Sequence, residues 1–193
     1  MPQLTDPDWV FADIRARKSV PLSPRFAEYF FPYLNIRASW ESVAGPEING
    51  EFSLKHIHRC VVARQDLLQD PALSDADQQL LPELKIFDEE PDAGSGRVAN
   101  LRIKAGVVDP EVWLYDMNHE RLELLDLDYG SYLEALLITR GTYGWQYLFA
   151  DVDLAKPRFR DIVQNVKNML EVFPRLFPQH SYASTRERLE ARL

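Results

Sequence analysis

Between Val98 and Thr139 the apolar residues change period from two to 3.6. That change restricts the chain to a fold in which strands and helices occupy separate stretches. Over 98–108, Ala99, Leu101, Ile103 and Ala105 interleave with Asn100, Arg102 and Lys104. Asp109-Pro110 marks a turn, 111–116 is aromatic and β-branched, Asn118-His119-Glu120 marks a second turn, and 121–127 alternates again. The spacing predicts a three-stranded antiparallel meander over 98–127. Leu133, Leu136 and Leu137, with Tyr132 adjoining, then share one face of a helix over Tyr129–Thr139, and Gly141 lies just past its end.

The flanks carry helix signals. Asp6-Pro7 precedes Trp9, Val10, Phe11 and Ile14, the pattern of a helix start. Ser23-Pro24 repeats it before Phe26, Tyr29, Phe30 and Tyr33, with Pro32 ending or kinking that helix. Asn49-Gly50 signals a turn, and 51–63 reads as a strand through Phe52, Leu54, Ile57, Val61 and Val62. Residues 67–84 read as a short helix with connectors, and 84–87 as a strand entering an acidic loop over 88–96. The aromatic run 144–151 leaves its class open. Phe159, Ile162, Val163, Val166, Leu170 and Phe173 form a helical stripe that Pro174 should end, and the polar tail from Gln179 reads as a frayed helix. The expected fold class is α+β, a mostly antiparallel β-sheet flanked by N-terminal and C-terminal helices. It forms one domain over 1–193, with 1–20 as an N-terminal extension and 152–193 as a C-terminal helical extension.

Composition narrows the function classes. The single cysteine, Cys60, can form neither an internal disulfide nor a structural zinc site alone. The first 19 residues lack the apolar core of a signal peptide, and no apolar stretch approaches the roughly 18–20 residues of a membrane helix. The chain is therefore expected to be cytoplasmic, with no membrane partner. A net charge of −8 argues against nucleic acid, whose binding depends on neutralising phosphates. The charge is uneven: 83–128 holds twelve acidic and five basic residues, whereas 156–193 holds eight basic and four acidic ones.

Few residues suggest chemistry. His56 and His58 would share one face of the strand read over 51–63, which suits two metal ligands, but no local pattern completes a ligand set. Cys60 sits in an apolar context, where a thiol is usually a small buried hydrophobe and not a nucleophile. No glycine-flanked serine elbow, phosphate-binding glycine loop or helical pair of metal-binding histidines is present. Asp88, Glu89, Glu90 and Asp92 lack calcium-loop spacing and read as a solvated loop or as an anionic patch that steers a basic partner. Trp113 and Tyr115 read as core, or as interface anchors where exposed.

The turn Gly94-Ser95-Gly96, the strand 98–108, the run Pro110-Glu111-Val112-Trp113-Leu114-Tyr115-Asp116, the strand 122–127 and the helix start Tyr129-Gly130-Ser131-Tyr132-Leu133 follow one another in a fixed order. In that order, from Gly96 to about Asp151, the chain resembles the SUKH superfamily, cell-wall-assembly-regulator-like proteins that include many bacterial toxin-immunity proteins. Residues 22–31 are loosely similar to the family's early helix. The family's Asn-Gly-Gly is not evident at Asn35-Ile36-Arg37, and the chain from Tyr143 onward departs from the pattern. The resemblance implies an α+β binding module, often one that neutralises a cognate toxin, with no shared catalytic residues and no cofactor.

The expected function is therefore a non-catalytic protein-binding module, an immunity protein whose partner is another protein such as a basic toxin domain. The expected docking residues are Asp88, Glu89, Glu90, Asp92, Trp113 and Tyr115. A regulatory or scaffolding protein of the same fold is the first alternative. An enzyme whose site is assembled from distant residues, with His56 and His58, is the second.

Overall fold

A computed structural model describes residues 2–63 and 70–193. The fold is α+β: among the described residues it has seven α-helices and two antiparallel sheets. Helix α1 (Pro7–Lys18) starts where Asp6 caps it by accepting from the amides of Asp8 and Trp9. Helix α2 (Arg25–Glu28) is a single turn that stops well short of Pro32.

A hairpin follows, β1 (Asn35–Glu41) against β2 (Asn49–Lys55). Strand β1 carries no clear alternation and no sequence signal picked it out. Asn49-Gly50 opens β2 and is not the turn, because Gly50 is there for space: a Cβ on it would meet the Trp40 indole at 2.5 Å. The chain turns instead over 42–48, where Gly45 has φ +85°.

The strand expected over 51–63 ends at Lys55 and becomes helix α3 (Ile57–Val62). His56 makes the switch, since its ring nitrogen caps the helix by accepting from the His58 amide. Of the helix and connectors expected over 67–84, residues 67–69 lie outside the described residues. The rest contains α4 (Asp75–Leu80), capped by Ser74.

The main sheet is a four-stranded meander in sequence order: β3 (Leu84–Glu89), β4 (Arg97–Arg102), β5 (Val112–Asp116) and β6 (Arg121–Leu124). The strand expected at 84–87 joins the three expected over 98–127 as β3, runs on to Glu89, and carries a bulge between Ile86 and Asp88. Strand β4 stops at Arg102, short of the expected 108. Helix α5 (Tyr129–Thr139), capped by Asp128, lies on the core face, with Tyr129 and Tyr132 against Phe87 at ring separations of 5.5 and 4.7 Å. The aromatic run becomes a 3-10 turn, Trp145–Phe149, with Trp145 and Tyr147 fully buried.

Helix α6 (Arg160–Leu176) buries Ile162, Val163, Val166, Met169, Leu170 and Phe173. Pro174 does not end it. A proline there removes the hydrogen bond that the Leu170 carbonyl would accept, and the Arg186 guanidinium fills that place at 3.0 Å. The tail is ordered as helix α7 (Ala183–Glu190), with Tyr182 and Leu189 buried. One hydrophobic core joins Val10 and Ile14 of α1 to Phe173 of α6 and Leu189 of α7, so both extensions are part of it. Among the described residues no helix is long and apolar enough to cross a membrane.

Replacing Gly50 with alanine should push the Trp40 ring from its seat. The expected loss of stability is about 1–3 kcal/mol, the usual cost of overpacking, read from urea unfolding followed by tryptophan fluorescence.

Candidate functional site

The acidic segment 88–96 is not an exposed loop. Asp88 lies in β3, and Asp88 and Glu90 are 3% and 6% exposed. A carboxyl group is tolerated in such a place only with hydrogen-bond donors around it. Asp88 accepts from the Ser53 amide and from the Tyr132 hydroxyl, both at 2.8 Å. Glu90 accepts from the Arg97 guanidinium at 2.9 Å and from Ser95. Arg97 is 1% exposed and lies 3.4 Å from the centroid of the Tyr143 ring, an ion pair and a cation–π contact in one place. Across the gap between the two sheets, Glu51 of β2 accepts the amides of Asp92 and Ala93 at 2.7 Å each, and Lys55 pairs with Glu89 at 2.9 Å.

The six expected docking residues are thus not one surface. Asp88 and Glu90 are structural, and Glu89 is half-buried in its pair with Lys55. Tyr115 is buried, its hydroxyl donating to Asp70, and Trp113 is half-buried with its indole N–H on Glu111. Asp92 is exposed. Tyr115 and Trp113 lie on the outer face of the meander, which Leu73 and Leu81 partly cover.

The histidines do not converge either. The His56 ring is buried, its Nε2 donating to the Leu4 carbonyl while Nδ1 accepts from the His58 amide, and burial holds its pKa below the usual range. His58 Nε2 lies 2.7 Å from Asp13 of α1. Cys60 is fully buried with its thiol against the Lys85 carbonyl, and burial pushes its pKa up to about 12. At neutral pH it is a thiol and no nucleophile. Among the described residues no three His, Cys, Asp or Glu side chains are grouped to hold a metal ion.

Three open depressions adjoin around the free end of the β1–β2 hairpin. An apolar groove of about 450 Å3 lies between the 42–48 turn and the end of α6, lined by Trp40, Val43, Phe173, Leu176 and Phe177, with Arg140 at its rim. Val43 is fully exposed and Leu176 is 62% exposed. On the opposite face of the hairpin, a polar depression of about 410 Å3 holds Glu41, Glu51, Asp92 and Tyr143. It continues into a third of about 320 Å3, with Glu47, Asp161 and Asn165. Among the described residues neither polar depression has a Lys, Arg or His in its lining. Asn165 fixes the geometry by bonding both main-chain groups of Asn49 and the Tyr143 carbonyl. No sequence pattern marks this grouping, since its members come from 41–51, 92–93, 143 and 161–168. The arrangement offers carboxylates and amides to a cationic surface.

Comparison with protein-family models, with curated proteins and with solved structures finds no match for this chain.

Removing one member of the buried pair leaves the other charge uncompensated. Arg97→Met should cost about 3–5 kcal/mol in urea unfolding, and adding Glu90→Leu should recover part of that loss.

Burial raises the Asp88 pKa to about 7, against 3.8 for the ordinary group. The folded state thus holds a proton that the unfolded chain releases. Asp88 contributes full stability below pH 3.8, and its contribution falls as the pH rises towards 7. In Asp88→Asn that part of the decline should vanish, so the variant gains on the wild type between pH 5 and pH 8. Urea midpoints at the two pH values measure the difference.

Proposed function

We propose that this chain is a non-catalytic protein-binding module that docks a basic partner on the carboxylate-lined face around Tyr143. The observation that carries the reading is the pair of polar depressions, which place exposed Glu41, Glu47, Asp92 and Asp161 on one face with no cation among the described residues of their lining. Such a face raises the encounter rate with a positively charged surface and disfavours acidic ones. Tyr143 at its centre supplies the rigid, amphipathic contact that interface hot spots favour. Its ring is held from behind by Arg97 and so needs little ordering on binding.

The narrower reading is an immunity protein of the SUKH kind, acting in the cytoplasm on a basic toxin domain. Its support is the resemblance of residues 96–151, together with the order β4, β5, β6 and α5 along the chain. An acidic face of this kind would compete for a groove that otherwise holds phosphates. Of the docking residues expected from sequence, Asp92 stays in the proposal and Glu41, Glu47 and Asp161 join it.

The test is affinity capture from the native cells, with wild type and a Glu47→Lys, Asp92→Lys, Asp161→Lys variant side by side, followed by binding of the purified captured protein. A basic protein held by the wild type, released by high salt and bound at least tenfold more slowly by the variant is the expected outcome. Equal association rates for the two would overturn this face as the docking site.

A further inference from the structure

Among the described residues strand β1 is an uncovered edge, protected only by the charges of Arg37 and Glu41. Among the described residues β2 is its sole strand partner, and the pairing runs over all seven residues without a bulge. It holds no proline and no lysine, and Asn35, Arg37, Ala38, Ser39 and Glu41 are all exposed. Natural sheets blunt such edges, because the unpaired main-chain groups are a template for another strand. The opposite end of the fold is treated differently. Strand β6 has only four residues, and its continuation is covered by the Leu125–Ala150 bridge and by the Asp126 amide donating to the Phe149 carbonyl.

The ladder shows which groups are unused. Ser42 donates to the Ile48 carbonyl and His56 to that of Leu34, so the even-numbered residues of β1 face β2. Consistently, the amides of Glu51 and Ser53, opposite Ser39 and Arg37, point away from β1 to Gly141 and Asp88. The main-chain groups of Arg37, Ser39 and Glu41 therefore point outward. The side chains of Arg37 and Glu41 have no partner among the described residues.

We infer that β1 pairs antiparallel with β1 of a second copy of this chain, about a two-fold axis through Ser39. In that register Arg37 of each copy lies opposite Glu41 of the other, as a hydrogen-bonded pair, and both charges find a partner twice over. The neighbouring registers leave the charges unpaired or oppose like charges. One step places Arg37 against Ser39 or Val43, and two steps place Arg37 against Arg37 or Glu41 against Glu41. Like charges directly opposite are destabilising, and opposite charges stabilise the pair.

The same register works on the other face of the strand. It sets Trp40 beside Ala38 of the second copy and Leu34 beside Ala44, at the mouth of the apolar groove. Leu34, 38% exposed in the single chain, is thereby covered in part. A two-fold interface must be self-complementary, and this strand is so in both charge and apolar contact. The two surfaces share Glu41, but their tests are separate, because Glu47, Asp92 and Asp161, changed to test the basic partner, take no part in this pairing.

Sedimentation of the full chain tests it without any ligand. Wild type should be a dimer at micromolar concentration. Arg37→Glu and Glu41→Arg should each weaken self-association at least tenfold. An equimolar mixture of these two variants should form a heterodimer, since each then meets the opposite charge at both positions, and the double variant Arg37→Glu, Glu41→Arg should dimerise again. A wild type that stays monomeric up to about 100 µM, beyond which the association would be too weak to matter, would overturn the inference. So would single variants that dimerise like the wild type, or a mixture that shows no heterodimer.

Discussion

The hairpin and the meander are joined by carboxyl groups instead of a main-chain ladder. Strand β2 turns its outward amide at Ser53 towards β3, and finds the Asp88 side chain there in place of a backbone carbonyl. The bulge between Ile86 and Asp88 makes this arrangement, because it swings Asp88 to the core face beside Tyr132. Glu51 repeats the device from the other strand by holding the amides of Asp92 and Ala93. Each of these acceptors is an orphan unless its donor arrives from a different element. The hairpin, β3, α5 and the 90–97 turn are therefore mutually dependent.

That dependence reshapes the electrostatics. The run Asp88-Glu89-Glu90 would be the strongest negative feature of the surface if it were solvated, yet two of its three carboxyls are inside. The anionic character of the surface passes to Glu41, Glu47, Asp92 and Asp161, single residues from four segments. They come together because Asn165 of α6 clasps Asn49 and because Arg97, anchored on Glu90, stacks against Tyr143. The buried polar network and the candidate docking face are thus two sides of one construction.

The same hairpin has an exposed edge, an apolar groove on one face and a carboxylate face on the other. Its position explains the combination. It lies at the end of the strand order, tied down along β2 and open along β1, so the side that the fold does not cover is available to other chains.

By itself the sequence determined the elements whose signal is local. The Asp6-Pro7 start, the aromatic strand over 112–116, the period change at Tyr129 and the apolar stripe of α6 all appear in the structure, because capping, pleat and helical periodicity act over a few residues. The sequence did not determine β1, whose exposed edge leaves it no alternation, nor the role of Gly50, which follows from a tryptophan ten residues away. It did not determine the fate of Pro174, since the carbonyl that the proline abandons is satisfied by Arg186 from the next helix. Tertiary structure also decided which acids are buried. A carboxylate looks the same in the chain whether its donors are water or the amides of another strand, and only the folded arrangement brings those donors to Asp88, Glu90 and Glu51 while leaving Asp92 in solvent.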